Sequence, residues 1–110
     1  MLYAKVVLGL AVEGPFDYIV PVSLAKDIKA GSRVWVDLRG RREVGYVVGL
    51  THHSNIKKLK SISSLIDNRP LLDKNTLQLT KELADFYCCF WGEAIETAIP
   101  DALRKGKIIS

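Results

Sequence analysis

Residues 33–50, RVWVDLRGRREVGYVVGL, decide the fold, because apolar residues recur at every second position in two runs that a basic, glycine-containing segment separates. A period of two places alternate side chains on opposite faces of a β-strand. Residues 33–38 and 44–50 therefore predict two strands, and the connection at residues 39–42, RGRR, predicts that they pair as a hairpin. Trp35 is expected to face the opposite side from the valines of its strand.

Three further segments predict strands beside this hairpin. Residues 2–10 carry an apolar residue at every second position. Residues 16–20 resume an extended pattern after the break at Gly14-Pro15, and Pro21 ends it, since proline lacks the N–H that a strand ladder needs. Residues 57–66 are a weaker extended stretch with a basic start, and they predict the last strand of the sheet.

After Asp73 the apolar residues change to the three- and four-residue spacing of an amphipathic helix. Its predicted apolar side is one stripe and the residues that widen it, namely Leu77, Thr80, Leu83, Ala84 and Tyr87, with Leu79, Phe86 and Phe90. Phe86 and Tyr87 are expected to tie the helix to the sheet. Gly92 is expected to end the helix.

Short strands followed by a helix predict an α+β fold that is mainly β. The expected architecture is a small curled antiparallel sheet or partial barrel, with a C-terminal helix packed on it and covering one open end. We expect a single domain over residues 1–103. The basic, glycine-broken residues 104–110, RKGKIIS, are expected to begin a linker.

The composition limits the class of protein. The 110 residues are 48% hydrophobic and 25% charged, as in ordinary globular domains. Sixteen basic residues against twelve acidic ones give a net charge of +4, which favours a polyanionic partner. No apolar run approaches the roughly 20 residues of a membrane span, and the N-terminus has no signal-peptide pattern, so we expect a cytoplasmic protein.

Motifs for catalysis and metal binding are missing from the sequence. It has no GxxxxGK[ST], GxGxxG, HExxH or GxSxG, so catalysis by this chain is not expected. His52-His53 and Cys88-Cys89 are adjacent pairs whose side chains diverge, and no ligand spacing accompanies them. We therefore expect no metal site and no cofactor.

A series of short motifs nevertheless occurs in a distinctive order. The series is GPFDYIVP at 14–21, GSRVWV at 31–36, GYVV at 45–48, LK at 59–60, ADFY at 84–87, and then Gly92 and Pro100. Each motif alone is weak, but their order and spacing resemble the N-terminal domain of the PriA (primosomal protein N′) helicase family. The resemblance covers nearly the whole chain, and it implies a 3′-DNA-binding domain.

The resemblance implies that a small pocket accepts the terminal nucleotide of the nascent leading strand and its free 3′-hydroxyl. Phe16 and Asp17 match the pocket motif. An aromatic ring stacks on any base, which is worth about 1–3 kcal/mol, and a carboxylate can accept a hydrogen bond from a hydroxyl but would repel a terminal phosphate. Tyr18 is a lesser candidate, because the next residue of a strand should point to the opposite face.

Lys60 falls at the LK motif, where the resemblance implies an ion pair with the phosphate that joins the last two nucleotides. The family usually has Pro-Phe-Gly in the hairpin, whereas this chain has Asp37-Leu38-Arg39, and its glycine follows at Gly40. Either Gly40 supplies the close backbone approach, or Arg39 replaces it. Further phosphate contacts are expected from Arg41, Arg42, Lys57 and Lys58.

The resemblance also implies a longer parent protein. Residues 104–110 would lead to a winged-helix domain and an ATP-dependent 3′–5′ helicase motor, for which ATP, magnesium and zinc are implied. The implied partners are forked DNA with a 3′-hydroxyl end, other primosome proteins and single-strand-binding protein. The implied location is the bacterial cytoplasm, in association with the nucleoid.

Two other functions stay open from the residues alone. A generic single-stranded nucleic-acid-binding barrel would ignore the chemistry of the strand end. A protein-interaction module of a primosome would show no salt-dependent DNA affinity. A purely structural interpretation of the candidate residues also stays open, in which Phe16 is a core residue, Asp17 a cap beside a turn, Tyr18 a packing residue of the sheet, and Lys57, Lys58 and Lys60 a solvated strand edge.

Overall fold

The computed structural model describes residues 1–9, 14–54, 59–67 and 70–99. The described elements are, in chain order, β1 (Tyr3–Leu8), β2 (Phe16–Ile19), a 3-10 turn (Val22–Leu24), β3 (Arg33–Leu38), β4 (Arg41–Thr51), β5 (Ser64–Leu65), α1 (Lys74–Tyr87) and α2 (Trp91–Ala98). The predicted α+β fold, mainly β, is confirmed. The expected linker at residues 104–110 lies outside the described residues.

The five strands form one antiparallel sheet in the order β2-β1-β4-β3-β5. The predicted hairpin is β3 and β4, but its connection is shorter than predicted. Leu38 pairs directly with Arg41, so that Arg41 and Arg42 belong to β4. Arg39 and Gly40 alone make the turn, because both adopt positive φ angles, of 54° and 81°, as a two-residue hairpin turn requires.

The curled sheet has an apolar core on each face. The inner cluster consists of Ala4, Val6, Leu8, Tyr18, Val20, Ile28, Val34, Val36, Val47 and Ile62. The outer cluster consists of Val7, Val44, Tyr46, Ile66, Leu72, Leu77, Ile95 and Ile99, with Trp35 packed against it. Trp35 thus faces away from the valines of β3, as predicted, and the helices cover the outer face of the sheet.

α1 begins where predicted and ends before the predicted residue. The Asp73 side chain caps it by accepting a hydrogen bond of 2.7 Å from the Thr76 amide, and the left-handed Cys88 ends it. Gly92 does not end α1 but lies in the first turn of α2. A Cβ at Gly92 would overlap the Leu8 carbonyl oxygen, so the glycine is needed for close packing of α2 on β1.

The buried side of α1 is narrower than predicted. Leu77, Thr80 and Ala84 are buried, and the Trp91 indole donates a 3.1 Å hydrogen bond to the Thr80 hydroxyl. The prediction that Phe86 and Tyr87 tie the helix to the sheet is wrong, because their side chains are 77% and 69% exposed. α2 makes the contact with β1 instead.

Other apolar residues of the predicted stripe are also exposed, namely Leu79, Leu83 and Phe90. α1 therefore carries a second apolar face that no described element covers.

Neither α1 nor α2 reaches the length and apolarity that crossing a bilayer demands, and no other helix of the described segments does.

A buried ion pair anchors β3 to the segment after β5. Arg33 is fully buried, and its guanidinium donates from Nε and one terminal nitrogen to the two Asp67 oxygens, at 2.6 and 2.7 Å. Asp67→Ala should destabilise the fold by about 3 kcal/mol, because it leaves a buried cation without this carboxylate. Urea unfolding followed by circular dichroism measures the loss.

Asp85→Ala is the matched control, because it removes a carboxylate from the exposed Lys81–Asp85 pair, 3.7 Å apart. Its expected cost is below about 0.5 kcal/mol. Equal losses for the two variants would contradict the role assigned to the Arg33–Asp67 pair.

Candidate nucleic-acid interface

The candidate site lies where the sheet closes on itself. The Ile19 amide donates to the Lys60 carbonyl at 2.9 Å, and the Ile62 amide donates to the Ile19 carbonyl at 3.0 Å. The Ser63 amide donates to the Trp35 carbonyl at 2.8 Å. Residues 59–66 therefore bond to β2 on one side and to β3 on the other, which brings Lys60 beside the strand that carries the Phe16-Asp17 motif.

β2 sends its side chains to both faces of the sheet. Phe16 and Tyr18 lie opposite Val6 and Ala4 of β1, on the inner face. Phe16 stands at the start of the strand and is 37% exposed, whereas Tyr18 is buried in the inner cluster. Tyr18 thus points away from Asp17, as predicted.

The Asp17 carboxylate is held on both oxygens. Lys5, its partner across β1 and β2, places Nζ 2.8 Å from Oδ1, and the Ser54 hydroxyl donates to Oδ2 at 2.9 Å. The hydrogen bond from Lys5 lowers the pKa of Asp17 below its usual value, with further help from Ser54 and against the opposing effect of burial. Asp17 is therefore a carboxylate, not a carboxylic acid, near neutral pH.

A second ion pair, between Lys60 and Asp37, is looser than the pair of Lys5 and Asp17. The Lys60 ammonium lies 3.7 Å from Asp37 Oδ2, and both side chains are more than half exposed. Burial raises the pKa of the Tyr18 hydroxyl, and the negative charge of Asp37 raises it further. The Tyr18 hydroxyl therefore lies within the electrostatic field of Asp37. Lys60 is accessible to a ligand because its side chain is 59% exposed, and its described ion pair with Asp37 is long.

The hairpin tip lies open to solvent. A Cβ at Gly40 would meet no atom within 4 Å, so the glycine serves the turn conformation in this structure and not a close packing contact. Arg39 precedes it and is exposed. Both alternatives for the pocket wall, Arg39 and Gly40, thus lie at an uncrowded tip.

The other predicted phosphate contacts are partly described. The Arg42 guanidinium stacks over the Trp35 ring, 4.1 Å from its centroid. In the β3–β4 strand register, Arg42 lies opposite Asp37. Arg41 is exposed at the start of β4. Lys57 and Lys58 lie outside the described residues.

The structure therefore places Lys60 beside the end of β2. Asp17 and Tyr18 lie on opposite faces of that strand, and the partly exposed Phe16 stands at its start. Sequence reasoning missed Lys5, Ser54 and Asp37 as members of the site. The antiparallel pairing of two short strands was the available signal for Lys5, but their register could not be fixed from the sequence.

Phe16 and Lys60 are partly exposed at the site. A cleft of about 900 Å³ lies elsewhere, between the start of α1, residues 70–72 and Trp91. The site offers an aromatic edge, a carboxylate, and an accessible ammonium. These are groups for stacking, for accepting a hydroxyl proton, and for pairing with phosphate. Within the described segments, no group of three or more His, Cys, Asp or Glu side chains could hold a metal ion.

Fold and site together define a small β-domain whose polar surface can accommodate a nucleic-acid strand. A family model described as the PriA 3′ DNA-binding domain (3′BD) matches residues 5–100. The chain belongs to this family, and it is a DNA-binding module of the PriA type.

Curated relatives agree with the family. Replication restart protein PriA of Bacillus subtilis is 30% identical over 109 residues, covering 94% of this chain and 14% of the relative. PriA of Chlamydia pneumoniae is 29% identical over 99 residues, covering 90% and 13%. PriA of Rickettsia conorii is 28% identical over 100 residues, covering 91% and 15%. The chain spans about a seventh of the length of these relatives.

The lowered pKa of Asp17 predicts a pH-dependent contribution of Lys5 to stability. The ion pair stabilises the fold above the unfolded-state pKa of about 3.9, and this contribution is lost as the pH falls through the lower folded-state pKa. Lys5→Met should raise the pKa of Asp17, and its destabilisation should shrink in acid. Carboxyl-carbon NMR titration and urea unfolding at several pH values measure the two effects.

Lys81→Met is the control, because Lys81 pairs with Asp85 on α1 and does not contact Asp17. It should leave the titration of Asp17 unchanged. A Lys5→Met protein in which Asp17 titrates as in the native chain would contradict the assigned cause of the shift.

Proposed function

We propose that this domain captures the free 3′-hydroxyl end of a DNA strand at the surface formed by Phe16, Asp17 and Lys60. The observation that supports the proposal most strongly is the closure of the sheet, which places Lys60 beside the Phe16-Asp17 strand. The family to which the chain belongs takes its name from 3′ DNA binding.

Each group has a distinct task in this proposal. The exposed part of the Phe16 ring provides a stacking surface for the terminal base, which is sequence-tolerant because every base has a π-face. The Asp17 carboxylate accepts a hydrogen bond from the 3′-hydroxyl through lone pairs not used by Lys5 and Ser54. Lys60 exchanges its loose pairing with Asp37 for the last internucleotide phosphate.

The hairpin supplies contacts farther along the strand. The tip of the hairpin consists of Arg39 and Gly40, and β4 begins with Arg41 and Arg42. The three arginines can neutralise phosphates, and Gly40 leaves the backbone accessible. Lys57 and Lys58 are assigned phosphate contacts on their charge alone. Tyr18 supports the site from the inner core.

In the parent protein this domain would direct a helicase to its substrate. The proposed substrate is the nascent leading strand at a stalled or abandoned replication fork. Unwinding belongs to other domains, which follow a linker at residues 104–110 and use ATP, magnesium and zinc. Other primosome proteins and single-strand-binding protein are the proposed partners, in the bacterial cytoplasm near the nucleoid. Linking several weak DNA sites in one protein would provide the overall specificity.

End capture predicts that binding depends on the chemistry of the terminus. In fluorescence anisotropy at low salt, the domain should bind an oligonucleotide with a 3′-hydroxyl more tightly than the same oligonucleotide with a 3′-phosphate. Asp17→Ala should abolish this preference, because it removes both the hydroxyl acceptor and the negative charge. The matched control is Asp85→Ala, which removes an exposed carboxylate from α1 and should keep the preference.

Other outcomes would redirect the assignment. Equal native affinity for the two ends would contradict end capture and favour a generic single-strand binder. Complete absence of binding at low salt would instead favour a protein-interaction module.

Lys60 is predicted to act through charge and not through end chemistry. Lys60→Ala should weaken binding to both ends by a similar factor, and it should reduce the slope of log affinity against log salt by about 0.7, the value for one phosphate contact on a single strand. Titrations at four or more salt concentrations give the slope. Lys81→Ala, which removes an exposed lysine from α1, should leave the slope near the native value, and an unchanged slope for Lys60→Ala would exclude the phosphate contact.

A further inference from the structure

Lys5 stands inside the candidate site, although it belongs to no motif of the sequence. It lies directly opposite Asp17 in the β1–β2 register, and its Nζ is 2.8 Å from Asp17 Oδ1. The Lys5 side chain is 44% exposed, whereas that of Asp17 is only 8% exposed. A ligand that approaches the carboxylate therefore meets the ammonium at the same place.

We propose that Lys5 is a specificity-determining residue of the 3′-end site, which sets how strongly a terminal phosphate is rejected. The proposal rests on the proposed function, because it concerns the same site. It adds a residue to that site and assigns it a task that differs from the task of Lys60.

The argument begins with the charge of the site. Lys5 and Asp17 form one ion pair, and Lys60 and Asp37 form another, so these four groups sum to zero. A 3′-phosphate carries about two negative charges near neutral pH, but it meets a carboxylate whose field is largely cancelled by an adjacent cation. The electrostatic repulsion between Asp17 and the 3′-phosphate is therefore weaker than the repulsion from a carboxylate without an adjacent cation.

The geometry of the carboxylate supports the same conclusion. One oxygen of Asp17 pairs with the Lys5 ammonium, and the other accepts a hydrogen bond from the Ser54 hydroxyl. The carboxylate therefore has a defined orientation, and its electrostatic field is reduced. Replacing Lys5 by a neutral residue keeps the Ser54 contact and gives the four-group site a net charge of −1. A neutral 3′-hydroxyl end is affected less by this change than a 3′-phosphate end, because the Coulomb energy scales with the ligand charge.

The test compares the two oligonucleotide ends in Lys5→Met. The ratio of the affinity for the 3′-hydroxyl to the affinity for the 3′-phosphate should rise by about three- to tenfold over the native ratio, the range expected for one unit charge at a partly solvated site. Lys5→Arg keeps the charge and should keep the native ratio. Lys81→Met removes one positive charge from the exposed Lys81–Asp85 pair on α1, and it should leave the ratio unchanged.

The outcomes separate this inference from the function on which it rests. A hydroxyl preference that Asp17→Ala abolishes, but that Lys5→Met does not increase, overturns the role of Lys5 alone. Absence of an Asp17-dependent preference overturns both. Equal weakening of both ends in Lys5→Met indicates a structural role and also overturns the inference. Lys5→Gln, which retains a long polar side chain, provides the same comparison if Lys5→Met does not fold.

Discussion

The hydrogen bonds of Ile19 with Lys60 and Ile62 join the two ends of the sheet. Without them β2 would present unpaired backbone groups at an open edge, which proteins normally cover or disrupt. Residues 59–66 bond to β2 on one side and to β3 on the other, and they curl the sheet around its inner core. The same bonds bring Lys60 to the Phe16-Asp17 strand, so the geometry of the site is a direct product of the closure of the fold.

The two ion pairs of the site differ in how firmly they are held. Asp17 is nearly buried and bonded on both oxygens, whereas the Lys60–Asp37 pair is exposed and 3.7 Å apart. Exposed pairs at this separation contribute little to stability, so Lys60 can change its partner at small cost. The firm pair thus provides fixed geometry, and the loose pair provides a cation that can move to a ligand.

The sequence predicted those features that depend on local periodicity, namely the β3–β4 hairpin, the opposite orientation of Trp35 and the start of α1 at Asp73. Features set by contacts between distant segments were not predictable from it. Gly92 looks like a helix end, but its role follows from the approach of the Leu8 carbonyl. Within the site, the Phe16-Asp17 motif was visible, whereas the Lys5 contact depends on strand register.

The turn residue Arg39 has a consequence for engineering of the domain. Its φ of 54° lies in the left-handed region, which costs an ordinary residue roughly 1–2 kcal/mol and which asparagine tolerates better. Asparagine followed by glycine is the preferred pair for such a turn. Optimising this position for thermal stability would therefore remove a guanidinium from the hairpin tip, so that robustness and surface charge oppose each other at a single residue.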